Sequence, residues 1–83
     1  MPLFMEVHTI DGGASIEAVA SAHLANLPLQ ARFGVRSLRY WVDEHNGKVF
    51  CLVEAPSGGA AASAHRQSHG LGAAAIYPVK EGL

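Results

Sequence analysis

"SLRYWVDEHNGKVFCLVE", residues 37–54, decides the fold. Its first seven residues are rich in β-branched and aromatic side chains, which suit a pleated, half-buried surface. Asn46-Gly47 then supplies the strongest short signal for a tight hairpin. "KVFCLVE" (48–54) returns as a second strand, apolar on both faces. A strand of that kind belongs in the middle of a sheet, with something covering each side. The hairpin therefore predicts one outer strand and one central strand, and the remaining elements must be placed around them.

Working outward on the N-terminal side, "PLFMEVHTI" (2–10) alternates. Leu3, Met5 and Val7 face one way, and Phe4, Glu6 and His8 the other, which reads as a strand. "DGG" (11–13) is turn chemistry, and Ser15 can cap a helix that carries Glu17 in its first turn. Ile16, Val19, Ala20, His23, Leu24, Leu27 and Ala31 draw a helical stripe that ends at Gly34. Pro28 removes a donor and crowds the carbonyl of Leu24, so a kink or break is expected there. On the C-terminal side, Ser57 can cap a second helix running to about His69, its first turn weakened by Gly58 and Gly59. "AIYPVK" (75–80) is a last short strand, and Pro78 assigns it to a sheet edge.

The order is strand, helix, strand, strand, helix, strand. Right-handed crossovers then give an α+β, ferredoxin-like βαββαβ sandwich over residues 1–83, with sheet order 4-1-3-2 and both helices on one face. The edge proline and the apolar central strand agree with that order independently. A domain of 83 residues buries only ~60% of its unfolded surface or slightly more, so the uncovered sheet face needs a lid. A second copy packing sheet against sheet, with Phe4, Glu6 and His8 toward the partner, is the expectation.

Composition narrows the function classes. Net charge is −1 with no basic cluster, which argues against a nucleic-acid surface. No apolar run reaches ~18 residues, so no membrane span is expected, and "MPLFMEVH" lacks the basic segment of a signal peptide. Cys51 is the single cysteine, so it has no internal disulfide partner, and the cytoplasm is the default location. It reads as a buried, inert thiol. Tyr40 and Trp41 should point to opposite faces of their strand, one joining the core.

Two places could carry chemistry. In "AHRQSHG" (64–70), His65 and His69 stand four apart, where helix geometry stacks their Cβ atoms about 5–6 Å from each other. Imidazoles at that spacing can share a divalent first-row ion, but the same pattern also arises as plain decoration of an exposed helix face. His23 bears on the choice. It lies eight residues past Ser15 as His65 lies eight past Ser57, so parallel helices starting level would bring His23, His65 and His69 toward one groove. The second place is the pair Glu6 and His8, equipment for proton transfer or part of a metal site if both lie in a cavity. The bland reading sets them at a solvated rim, near Arg39. His45 in the hairpin loop is expected to be exposed.

"RYWVDEHNGKVFCLVEAPSGGAAASAHRQSHGL" (39–71), with "EVH" (6–8) and "AH…LQARFGVR" within 22–36, resembles a family of small bacterial proteins. It is a domain-of-unknown-function family that includes a nickel-binding, ferredoxin-like dimer. The resemblance covers roughly residues 3 to 71 and fades in the alanine-rich tail. It implies a homodimer that binds nickel or a similar divalent ion and no organic cofactor, with a role in metal sequestration or homeostasis. His23, His65 and His69 stand where the family's motifs carry histidine, and the ligand assignment follows from the helix spacing above. The competing expectation is a dimeric α/β-barrel enzyme, monooxygenase- or isomerase-like, acting through Glu6 and His8.

Overall fold

A computed structural model describes the backbone of residues 1–69 and 75–82 and the side chains of residues 1–64 and 75–82. The elements are β1 (Leu3–Thr9), α1 (Ile16–Arg32), β2 (Arg36–Asp43), β3 (Lys48–Glu54), α2 (Gly58–His69) and β4 (Ala75–Val79). The strands form one antiparallel sheet in the order β2-β3-β1-β4, which is the 4-1-3-2 order read from the other edge. β4 lies outermost, with Pro78 opposite Phe4 of β1. An edge position spares the ladder a missing donor.

Local chemistry sets the element ends as the sequence suggests. Ser15 Oγ accepts from the Ala18 amide at 3.1 Å, and Ser57 Oγ accepts from the Ala60 amide at 3.0 Å, each filling an orphan donor of a first helical turn. At the other end of α1, Gly34 takes φ +72°. Its amide donates to the Ala31 carbonyl, and the Val35 amide donates to the Gln30 carbonyl at 3.0 Å. That pair of bonds is a Schellman stop, and it turns Val35 into the core. Pro28 does not break α1, which runs unbroken from Ile16 to Arg32. The exposed proline sits where the helix ends are both anchored, so one missing internal bond is tolerated.

The hairpin turn and the β1–α1 loop hold each other. The Ile10 amide donates to the Gly47 carbonyl at 2.7 Å, and the Ala14 amide donates to the Glu44 carbonyl. The Glu44 carboxylate also accepts from the Ile16 amide at 3.0 Å, at the positive end of α1. Gly47 has φ +67°, and a Cβ there would drive into the backbone of Ile10, so only glycine fits.

The core lies under α2. Phe4, Val53, Ala55, Ala61 and Ala64 are buried together with Val35, and Phe33, Cys51, Ala60 and Ile76 pack around them. This corrects the expected orientation of β1. Phe4, Glu6 and His8 face the helices, and Leu3, Met5 and Val7 face away from them. The register makes the assignment, because Phe4 pairs with buried Val53 and Glu6 with Cys51. Both faces of β1 offer apolar residues, so alternation alone does not say which side the helices take.

The helices also run antiparallel, where parallel helices were expected. β1 pairs antiparallel with β3, and each helix runs back against the strand it follows. The two crossovers interleave their strands, so α1 and α2 inherit opposite directions. The level-start argument linking His23 to His65 therefore does not apply.

Candidate functional site between helix one and the sheet

α1 is fastened at its two ends and stands off the sheet between them. Asn26 is its sole buried residue among those described, and Ile16, Leu24 and Leu27 are exposed. The stripe drawn through Leu24 and Leu27 is therefore out of phase with the inward face. Val19, Ala22, His23, Asn26 and Gln30 look toward the sheet instead. These side chains are small or polar, and they leave a cavity of roughly 340 Å³ above β1, β3 and β2.

The floor of that cavity carries Glu6, His8, Tyr40, Val49 and Cys51. Glu6 is buried at 4% exposure, and His8 is half-buried. Tyr40 reaches in from β2 while its neighbour Trp41 lies on the opposite, uncovered face at 47% exposure, as their alternation requires. The His23 ring approaches Tyr40 with centroids 4.9 Å apart and planes inclined at 41°. A tilted contact of this kind is favourable for two rings and fixes the imidazole over the edge strand.

The electrostatics mark a floor that disfavours further negative charge. Burial, and then the neighbouring Glu6 charge, push the Cys51 thiol from 9.0 up to about 12. Both causes disfavour a thiolate, so Cys51 stays protonated and unreactive near neutral pH, as expected of a thiol in an apolar strand. On the roof, Gln30 Oε1 is buried and meets no hydrogen-bond donor among the described residues.

Glu6, His8 and His23 are thus brought to one cavity, inside a single chain and not between two sheets. His65 and His69 lie in the last turns of α2, whose backbone is helical through residue 69. Their side chains fall outside the described residues, and so does their convergence with His23. Among the described residues, no three of His, Cys, Asp and Glu stand close enough together to hold a metal ion. Asn26 and Gln30 carry no expectation in the sequence reading, and Tyr40 carries only that of a core or surface aromatic. A signal for the first two was present: His23, Asn26 and Gln30 recur at i, i+3 and i+7, a polar line along a helix otherwise rich in alanine and leucine.

The four-stranded antiparallel sheet with two helices on one face defines a small α+β protein of βαββαβ order. Residues 4–79 match the family model described as "Nickel responsive protein SCO4226-like", and the chain belongs to that family. The crystal structure of SCO4226 from Streptomyces coelicolor A3(2) is similar throughout, with a TM-score of 0.87 and 30% identity. The likeness covers 98% of this chain and 99% of that one. No curated protein matches.

Proposed function

We propose that the protein binds a divalent first-row metal ion, nickel being the ion in the family's name, and sequesters it in the cytoplasm. His65 and His69 are the proposed principal ligands, with His23 as a third. The supporting observation is that α2 runs unbroken from Gly58 to His69, which puts positions 65 and 69 one turn apart on a regular helix. Neutral imidazoles suit borderline ions such as nickel. Three of them leave the charge uncompensated, so water or a carboxylate completes the shell.

The reading includes a homodimer through the uncovered sheet face. Met5, Val7, Phe50 and Leu52 line that face without helix cover, flanked by Trp41 and by Tyr77 at 55% exposure. A contiguous apolar surface of this kind on so small a domain marks an association site.

Calorimetric titration with nickel tests the metal reading. His65→Ala combined with His69→Ala should abolish binding and leave the circular dichroism unchanged. His23→Ala should weaken it less, because Tyr40 already engages that ring. Metal competes with protons for imidazole, so wild-type affinity should fall as pH drops through about 6.5. A double variant that binds nickel as well as wild type would overturn the assignment.

A further inference from the structure

We infer that the cavity under α1 binds a small aromatic amine in its protonated form, the ring packed on Tyr40 and His23 and the positive charge balanced by Glu6. Three observations converge on it. The first is shape. A volume of roughly 340 Å³ falls at the lower end of the range of small-molecule pockets, room for a single ring with a short side chain. Part of its wall is aromatic: the half-buried rings of Tyr40 and His23 lie 4.9 Å apart, tilted by 41°. Aromatic faces carry the negative part of a ring quadrupole, so they suit a second ring and a nearby cation. The second is the roof. α1 leaves Leu24 and Leu27 in solvent and turns His23 and Asn26 toward the sheet. A helix chosen for stability alone would do the reverse. Such a local conflict is what a binding site leaves in a sequence.

The third observation is how charge is distributed. The titratable groups among the described residues lining the cavity are Glu6 and His8 on β1, His23 on α1, Tyr40 on β2 and Cys51 on β3. The Cys51 thiol, raised to about 12, is neutral, and a phenol titrates only near ~10. Glu6 supplies the negative charge, and part of the rise at Cys51 is that charge acting across the floor. The two imidazoles decide the balance. Histidines change charge between about pH 5 and 8. When both are neutral, Glu6 leaves the cavity negative and a cation is attracted. When they take up protons, that charge is cancelled and then reversed, and an anion is received instead. The inference does not rest on the metal reading, and its test is made without metal, so its failure leaves binding by His65 and His69 untouched.

Benzylamine, benzyl alcohol and benzoate are probes of one shape that carry a positive, no and a negative charge. Each should be titrated into metal-free protein, kept so with a chelator, while backbone amide resonances are followed by NMR at about pH 8 and about pH 5.5. At the higher pH benzylamine should give saturable shifts centred on Val19, His23, Tyr40 and Cys51. Benzyl alcohol should bind roughly five- to tenfold more weakly, and benzoate more weakly still. At the lower pH the amine should lose its advantage over the alcohol, and benzoate should gain. Glu6→Gln should bind the alcohol as wild type does, which shows the cavity intact, and should not prefer the amine. His8→Gln combined with His23→Gln should keep the amine's preference at both pH values. Amine shifts that fail to saturate at these amides, or alcohol or benzoate binding as tightly as the amine at pH 8, would overturn the proposal. So would a preference for the amine that survives in Glu6→Gln or that persists in wild type at pH 5.5.

Discussion

The two helices cover the same sheet in opposite ways. α2 lays Ala61 and Ala64, both essentially without exposure, directly onto Phe4 and Val53. Small side chains there let the helix backbone come close, and close packing follows. Ala22 of α1, by contrast, is exposed at the edge of a cavity. Helix α1 packs along α2 and is fastened at its ends: by the Ser15 cap and Glu44 carboxylate at one, and by the Gly34 stop at the other. One half of the molecule is therefore scaffold, and the other is a bridge over a cavity lined with ionisable and amide groups. The lesson is that alanine marks a tight core only where a bulky partner fills the space opposite.

The largest expected effect breaks the scaffold half. Phe4→Ala should destabilise by about 3–5 kcal/mol, the usual cost of emptying a buried aromatic site, read from the urea midpoint. Phe50→Arg sharpens the contrast between the sheet's two faces. Phe50 pairs with Val7 and Trp41 on the uncovered side, so the variant should stay folded and sediment as a monomer, and wild type should sediment as a dimer. A wild-type monomer at micromolar concentration would contradict that. Ser15→Ala should cost about 1 kcal/mol, since it removes one of the few fastenings of α1.

Cys51 should have no effect on stability near neutral pH, its contribution being confined to alkaline pH. Its folded value lies above its ordinary one, so the folded state retains the proton longer than the unfolded chain. Below pH 9.0 the thiol is neutral in both states and stability is unaffected by it. Between 9.0 and about 12 the unfolded chain ionises first, so stability should fall across that window. Cys51→Ser should flatten the fall. In the native protein a thiol reagent should react slowly with Cys51, and rapidly after denaturation.

Much of the fold is legible in the residues. Asn46-Gly47 marks the hairpin, Ser15 and Ser57 mark the helix starts, and Pro78 marks the edge. Each acts through local backbone chemistry that needs no tertiary partner. Orientation is less legible, because it depends on phase. Phe4 and Met5 are both apolar, so β1 could be turned over without violating its pattern. The inward face of α1 was hidden for a related reason: Leu24 and Leu27 outweigh His23, Asn26 and Gln30 in any hydrophobic stripe. Helix direction depends on combining the two crossovers, and neither crossover alone shows that β1 and β3 run opposite. Glu6 and His8 were legible as site residues, but their cavity could be located only once the face of β1 was known.

Matched small-to-large substitutions test the division between the helices most directly. Ala61→Leu and Ala22→Leu add the same atoms, at a fully buried site on α2 and at an exposed site on the rim of the cavity under α1. Urea unfolding should show a loss of about 1–3 kcal/mol for Ala61→Leu, because the core under α2 has no space to give. Ala22→Leu should stay within about 0.5 kcal/mol of wild type, because the cavity admits the added atoms. Equal losses in the two variants would mean that α1 packs as tightly as α2, and would contradict the account.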